Sequence, residues 1–179
     1  GTIARDSKGG TVGTLQAGAT WGTGRFEKAL ALDGSVNSYV TVSPSWGITN
    51  EVTISAWLKR SGTASGWMTF LGSAPYGFEY NVGTYEHRSR VATSTSINTY
   101  ISGAVKALNP IQWHHIVGLA NATTFALYID GVLLASTGRI PIGGDVAAPT
   151  YILIGTNAVG PLNQYWNGMI DDLAIFSRA

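Results

Sequence analysis

The stretch Glu51-Val52-Thr53-Ile54-Ser55-Ala56-Trp57-Leu58-Lys59 decides the fold class. Val52, Ile54, Ala56 and Leu58 leave an extended chain on one side, and Thr53, Ser55 and Trp57 on the other, because side chains alternate across a strand. Outward from it, Trp113 to Ala120 and Thr124 to Ile129 read as strands of the same kind. Asp130-Gly131 then separates the second of these from Val132 to Ser136. Both residues tolerate positive φ, so the dipeptide predicts a two-residue type I′ hairpin. Further strands are expected at Ala29 to Leu32, Tyr39 to Val42, Met68 to Leu71, Gly77 to Asn81, Arg88 to Thr93, Tyr151 to Gly155 and Trp166 to Phe176. Gly24 to Leu30 is the one stretch compatible with a helical turn, and Gly138 to Pro149 reads as a long surface loop. Many short strands almost without helix predict an all-β fold, two antiparallel sheets packed face to face as a jelly-roll sandwich.

The 179 residues suit a single domain spanning 1–179. Lys and Arg number 11 against 10 Asp and Glu, so no polyanion-binding stripe exists and a nucleic-acid partner is not expected. The longest apolar runs, such as Tyr151 to Ile154, fall far short of the roughly 20 residues that cross a bilayer as a helix, and membrane insertion is not expected either. With no cysteine, disulfides and Cys-ligated metals are excluded. The chain opens at Gly1 with neither initiator Met nor a leader pattern, which predicts either a mature processed chain or, as the trimmed look of both ends favours, a module of a longer polypeptide.

Four segments together resemble the laminin-G-like branch of the concanavalin A-like lectin and glucanase superfamily. They are Asp6-Ser7-Lys8-Gly9-Gly10 leading through Gly24-Arg25-Phe26 to Ala29–Gly34 and Tyr39-Val40; Glu51 to Lys59; Trp113 to Val117 with Leu127 to Leu133; and Trp166 to Ala179. The resemblance implies a concanavalin A-like jelly roll. It also implies a structural Ca²⁺ held by Asp171, Asp6 and the Asp33-Gly34 stretch, as hard oxygen ligands suit that ion. The plainer alternative is that Asp171 caps a turn and Asp6 starts an Asx-turn. The family's aromatic-rich first strand looks missing before Asp6, and it ordinarily lies beside the closing strand. An open edge at Met169 to Phe176 is therefore expected, a template for strand addition and a possible homo-oligomer.

Retaining glucanases of the superfamily need two carboxylates about 5 to 5.5 Å apart. No Glu-x-Asp-x-Glu pattern exists here, and Glu27, Glu51, Glu79 and Glu86 are scattered, so no enzyme activity is expected. His114 and His115 are adjacent in a strand and leave it on opposite faces, which favours packing roles over one shared metal. Sugars stack on exposed rings and take hydrogen bonds from polar neighbours. Candidate ligand-binding residues on that ground are Trp67, Tyr76, Tyr85, Tyr100 and Trp166, with His87, Arg88 and Arg90 near Tyr85; Trp46 and Tyr165 fall at similar positions. The expected function is a non-catalytic carbohydrate-binding or adhesion module, extracellular, cell-surface or virion-associated. The alternative is a structural subunit of a surface, filament or virion assembly whose partner is a neighbouring protein chain.

Overall fold

A computed structural model of the chain describes residues 2–44, 51–73, 76–92, 98–138, 149–158 and 162–179. Its strands are β1 (Ile3–Arg5), β2 (Val12–Leu15), β3 (Ala19–Thr23), β4 (Lys28–Asp33), β5 (Val40–Val42), β6 (Val52–Arg60), β7 (Trp67–Ser73), β8 (Tyr76–Asn81), β9 (Glu86–Ala92), β10 (Asn98–Val105), β11 (His114–Ala120), β12 (Thr124–Ile129), β13 (Val132–Gly138), β14 (Ile152–Ile154) and β15 (Asn167–Phe176). They form an eight-stranded sheet in the order β1-β2-β5-β14-β7-β8-β9-β10 and a seven-stranded sheet in the order β13-β12-β11-β6-β15-β4-β3. Every ladder within the two sheets is antiparallel, and no helix occurs among the described residues. The jelly-roll sandwich expected from the alternation is therefore the fold.

The core lies between the two sheets. Val52, Ile54, Ala56 and Leu58 of β6 face it, with Ile116, Leu127 and Ile129 from neighbouring strands. Met68, Phe70, Phe78, Tyr80, Val91 and Ile101 enter it from the opposite sheet. At the hairpin between β12 and β13, Asp130 and Gly131 take φ of 54° and 77°, as a type I′ turn requires. The Asp130 side chain then ties the turn to β11: one oxygen accepts the His115 N–H and the other accepts His114 Nδ1–H, each at 2.9 Å.

Both ends of the chain form strands, in different sheets. Ile3–Arg5 does form a strand, paired with β2 from Ile3↔Thr14 to Arg5↔Val12; a three-residue edge strand is too short to carry a readable pattern. The closing strand β15 is not a sheet edge. It pairs with β6 along most of its length but with β4 only from Asn167 to Ile170, so on that side the ladder covers Met169 and Ile170 of the expected edge and stops before Asp171. Residues 24–27 form a bend instead of a helical turn, and β4 starts at Lys28. Strands β2, β3 and β10 were not foreseen, because their glycines, threonines and serines blur the apolar period.

Candidate functional site

The outer face of the eight-stranded sheet gathers the polar and aromatic residues of β7, β8 and β9. Alternation turns Phe78 and Tyr80 inward and leaves Glu79 and Asn81 outward; on β9 it turns His87, Ser89 and Val91 inward and leaves Glu86, Arg88 and Arg90 outward. Register puts Glu79 directly opposite Arg88, Gly77 opposite Arg90, and Trp67 opposite Asn81. The Arg88 guanidinium crosses β8 and lies 4.0 Å above the Trp67 ring, a cation–π contact. Its Nε also donates to Glu86 at 2.9 Å. Arg90 passes over Gly77, where no side chain blocks it, and donates to the Ser73 carbonyl at 2.9 Å.

One side of this face is walled by the segment after β14. A Cβ at Gly72 would collide with the Thr156 carbonyl, so glycine lets that segment lie flat on the sheet. The Thr69 hydroxyl donates to Gln164 Oε1 at 2.9 Å and the Thr69 N–H to the Gln164 carbonyl at 3.0 Å. Asn157 holds the returning chain by accepting the N–H groups of Asn163 and Gln164.

Glu79 is the unusual member. Burial pushes its carboxyl above the ordinary range, against the opposing pull of Arg88 and Arg90. Among the described residues nothing hydrogen-bonds or ion-pairs with that carboxylate, since both arginines are engaged elsewhere. Glu86 behaves oppositely: the hydrogen bond from Arg88, and then that from the Gly103 N–H at 3.1 Å, hold its carboxyl below the ordinary range. Gly103 lies on β10, on the far side of β9 from Glu79, so Glu86 is held toward β10.

Of the residues singled out from sequence, Trp67, Arg88 and Arg90 come together here, and Tyr100 stands opposite Arg90 in the β9–β10 ladder. Tyr76 pairs with Val91 in register, while the side chains of Tyr76 and Tyr100, like Trp46 altogether, lie outside the described residues. Two candidates are corrected. Trp166 is fully buried, edge-on to Phe70 at 6.2 Å, because it enters the core one residue before β15 begins. His87 also faces inward, 4.8 Å from the Tyr80 ring, with Nε2 2.8 Å from the Lys106 carbonyl, and burial pushes its pKa down to about 4. Tyr85 is exposed in the β8–β9 turn, at φ 58°. Tyr165 is half-buried, 6.4 Å from Tyr39. Glu79, Thr69 and Gln164 were not proposed as site residues. The alternation around Phe78 and Tyr80 carried the signal for Glu79; the wall depends on a long-range fold-back that no local pattern announces.

A second aromatic group lies on the outer face of the seven-stranded sheet. The Arg25 guanidinium sits 3.8 Å over the Trp57 ring, and His115 stacks on the same ring at 4.8 Å. Trp57 is thus contacted by two protein groups at stacking distance. Trp67 has a single such partner among the described residues.

The expected calcium ligands do not assemble. Asp171 Oδ2 accepts the N–H groups of Arg25 and Phe26 at 2.7 and 3.2 Å, and its Oδ1 accepts the Asp172 N–H at 2.9 Å. Asp6 accepts the N–H groups of Lys8 and Gly9, an Asx-turn, and Asp33 accepts the N–H and hydroxyl of Ser35. Asp33 pairs with Asn167, which places Asp33 and the adjacent Gly34 about 13 Å of strand from Asp171, too far to share an ion. Among the described residues no three His, Asp or Glu side chains cluster as a metal site.

Comparison with known proteins places the fold. The binding domain of Paraclostridial Mosquitocidal Protein 1 superposes with a TM-score of 0.76 at 17% identity, over 99% of this chain and 48% of that one. The botulinum neurotoxin serotype D ligand binding domain, solved with N-acetylneuraminic acid, gives 0.72 at 14% identity, over 98% and 46%. Domain 4 of AbnA, an extracellular arabinanase from Geobacillus stearothermophilus solved with arabinotriose, gives 0.65 at 22% identity, over 97% and 79%. The chain thus spans about half the length of the toxin domains, and at these identities the likeness is one of fold. No curated protein sequence matches. The family model described as the concanavalin A-like lectin/glucanases superfamily, laminin G type 3, matches residues 33–179, and the chain belongs to that family.

Proposed function

We propose that the chain is a non-catalytic, extracellular carbohydrate-binding module whose site is the outer face of β7, β8 and β9. The observation that carries this reading is the combination of Trp67, stacked by Arg88 at 4.0 Å, with the carboxylate of Glu79 beside it, which has no hydrogen-bond or ion-pair partner among the described residues. A ring supplies the apolar surface on which a pyranose or furanose stacks, and an acceptor and donors beside it read hydroxyl groups. The loop through Gln164 gives the face a wall, so a ligand meets more than a flat sheet. Binding domains of toxins and a domain of an extracellular arabinanase solved with arabinotriose are among the structural neighbours, which supports a binding role and an extracellular setting. The engagement of Glu86 by Arg88 and the Gly103 N–H supports the absence of catalysis, since it ties up the carboxylate nearest in sequence to the site. The test is a glycan array probed with the wild-type chain and with Trp67→Ala. Specific binding lost in the variant is the expected result; no binding by the wild type, or binding indifferent to Trp67, contradicts the proposal.

A further inference from the structure

We infer that Glu79 sets the ligand class of this face, making it selective for neutral saccharides with adjacent free hydroxyl groups and against saccharides that carry carboxylate or sulfate. The inference rests on the carbohydrate-binding reading and narrows it.

The argument is one of charge and unused hydrogen-bonding capacity. Four charged side chains occupy the outer face of β8 and β9: Glu79, Glu86, Arg88 and Arg90. Arg88 and Glu86 neutralise each other through a 2.9 Å contact. Among the described residues Arg90 spends one guanidinium nitrogen on the Ser73 carbonyl and no other donor. Among the same residues Glu79 keeps all of its acceptor sites, and it is half-buried beside β7. A half-buried carboxylate that has lost part of its water without gaining a protein partner is a costly arrangement unless something else completes it. Two O–H groups on neighbouring sugar carbons match the two carboxylate oxygens, and neither group brings charge. An acidic sugar would meet Arg90 favourably but would set a second carboxylate against one that is already poorly solvated. Like charges so placed are disfavoured most where water is scarce. An arginine-only face would select acidic glycans; the intervening Glu79 reverses that preference.

The experiment is a titration of the wild-type chain and of Glu79→Gln with two probe sets, neutral arabino- and gluco-oligosaccharides and oligosaccharides bearing galacturonate or sialic acid, with thermal unfolding of both proteins alongside. Gln keeps the shape and exchanges one acceptor oxygen for an N–H₂ group. The expected result is wild-type binding confined to the neutral set, a loss of about tenfold or more in the variant, and an unfolding temperature no lower than wild type. A changed preference in a stably folded variant separates ligand selection from a structural role. Wild-type binding to the acidic set at equal or greater affinity, or neutral binding unchanged by Glu79→Gln, overturns the selectivity and leaves the binding module standing. Absence of binding to either set removes both.

Discussion

The carboxylate of Asp171 accepts the backbone N–H of Arg25 at 2.7 Å, joining positions 146 residues apart in sequence. The same oxygen accepts the Phe26 N–H, so the closing strand pins the bend before β4. That bend in turn carries the guanidinium lying on Trp57. A charged acceptor with backbone donors satisfies this carboxylate from within the chain.

Asp171→Ala should therefore lower the unfolding free energy by about 2 kcal/mol, the worth of a charge-assisted hydrogen bond left unmade. Chemical denaturation of the two proteins measures it. The unfolding temperature of the wild type should not respond to EDTA or to added calcium. A chelator-sensitive midpoint would restore the calcium site that the resemblance implied.

Acid should destabilise the protein through His87. Its folded-state pKa is pushed down to about 4 by burial, below the ordinary histidine value near 6.5 that the unfolded chain regains. The unfolded state then binds the extra proton first, so stability falls as pH drops from 6.5 toward 4 and is unaffected by this group above that window. The loss reaches roughly 3 kcal/mol below pH 4. His87→Gln should flatten the curve between pH 7 and 4, as read by denaturation at each pH.

The two tryptophans on either side of the eight-stranded sheet should separate stability from binding. Trp166→Ala empties a fully buried site against Phe70 and should cost about 3 to 5 kcal/mol. Trp67→Ala removes a half-exposed ring from the outer face and should change stability by much less while abolishing glycan binding. Calorimetric unfolding and a binding titration on both variants give the comparison.

Glu79 should weigh against stability where it serves binding. Its folded-state pKa is raised by burial, so the group favours folding below the unfolded-state pKa and loses that contribution as pH rises through the folded one. Ionisation of this carboxyl therefore burdens the folded state, and Glu79→Gln should unfold at an equal or higher temperature than wild type. A lower temperature would show that Glu79 has a structural partner instead.

Much of the fold was legible because Val52, Ile54, Ala56 and Leu58 alternate strictly, and because Asp130-Gly131 states its turn type in two residues. The site was legible in part. Trp67, Arg88 and Arg90 belong to alternating strands, but which parity faces the core depends on the partner sheet, and that is how His87 was placed on the wrong side. Trp166 looked like a loop ring because burial is a property of the packed sandwich. The role of Asp171 was visible only as an acid among apolar neighbours; its backbone partners lie too far away in sequence for any local pattern to name them.

The most direct test of the account is backbone-amide NMR of the chain titrated with a neutral oligosaccharide that the array identifies. Binding on the proposed face predicts shift changes concentrated at Trp67, Thr69, Glu79, Arg88, Arg90 and Gln164, with the Trp67 indole N–H among the largest. Changes centred on Trp57 and His115, across the sandwich on the other sheet, would contradict it.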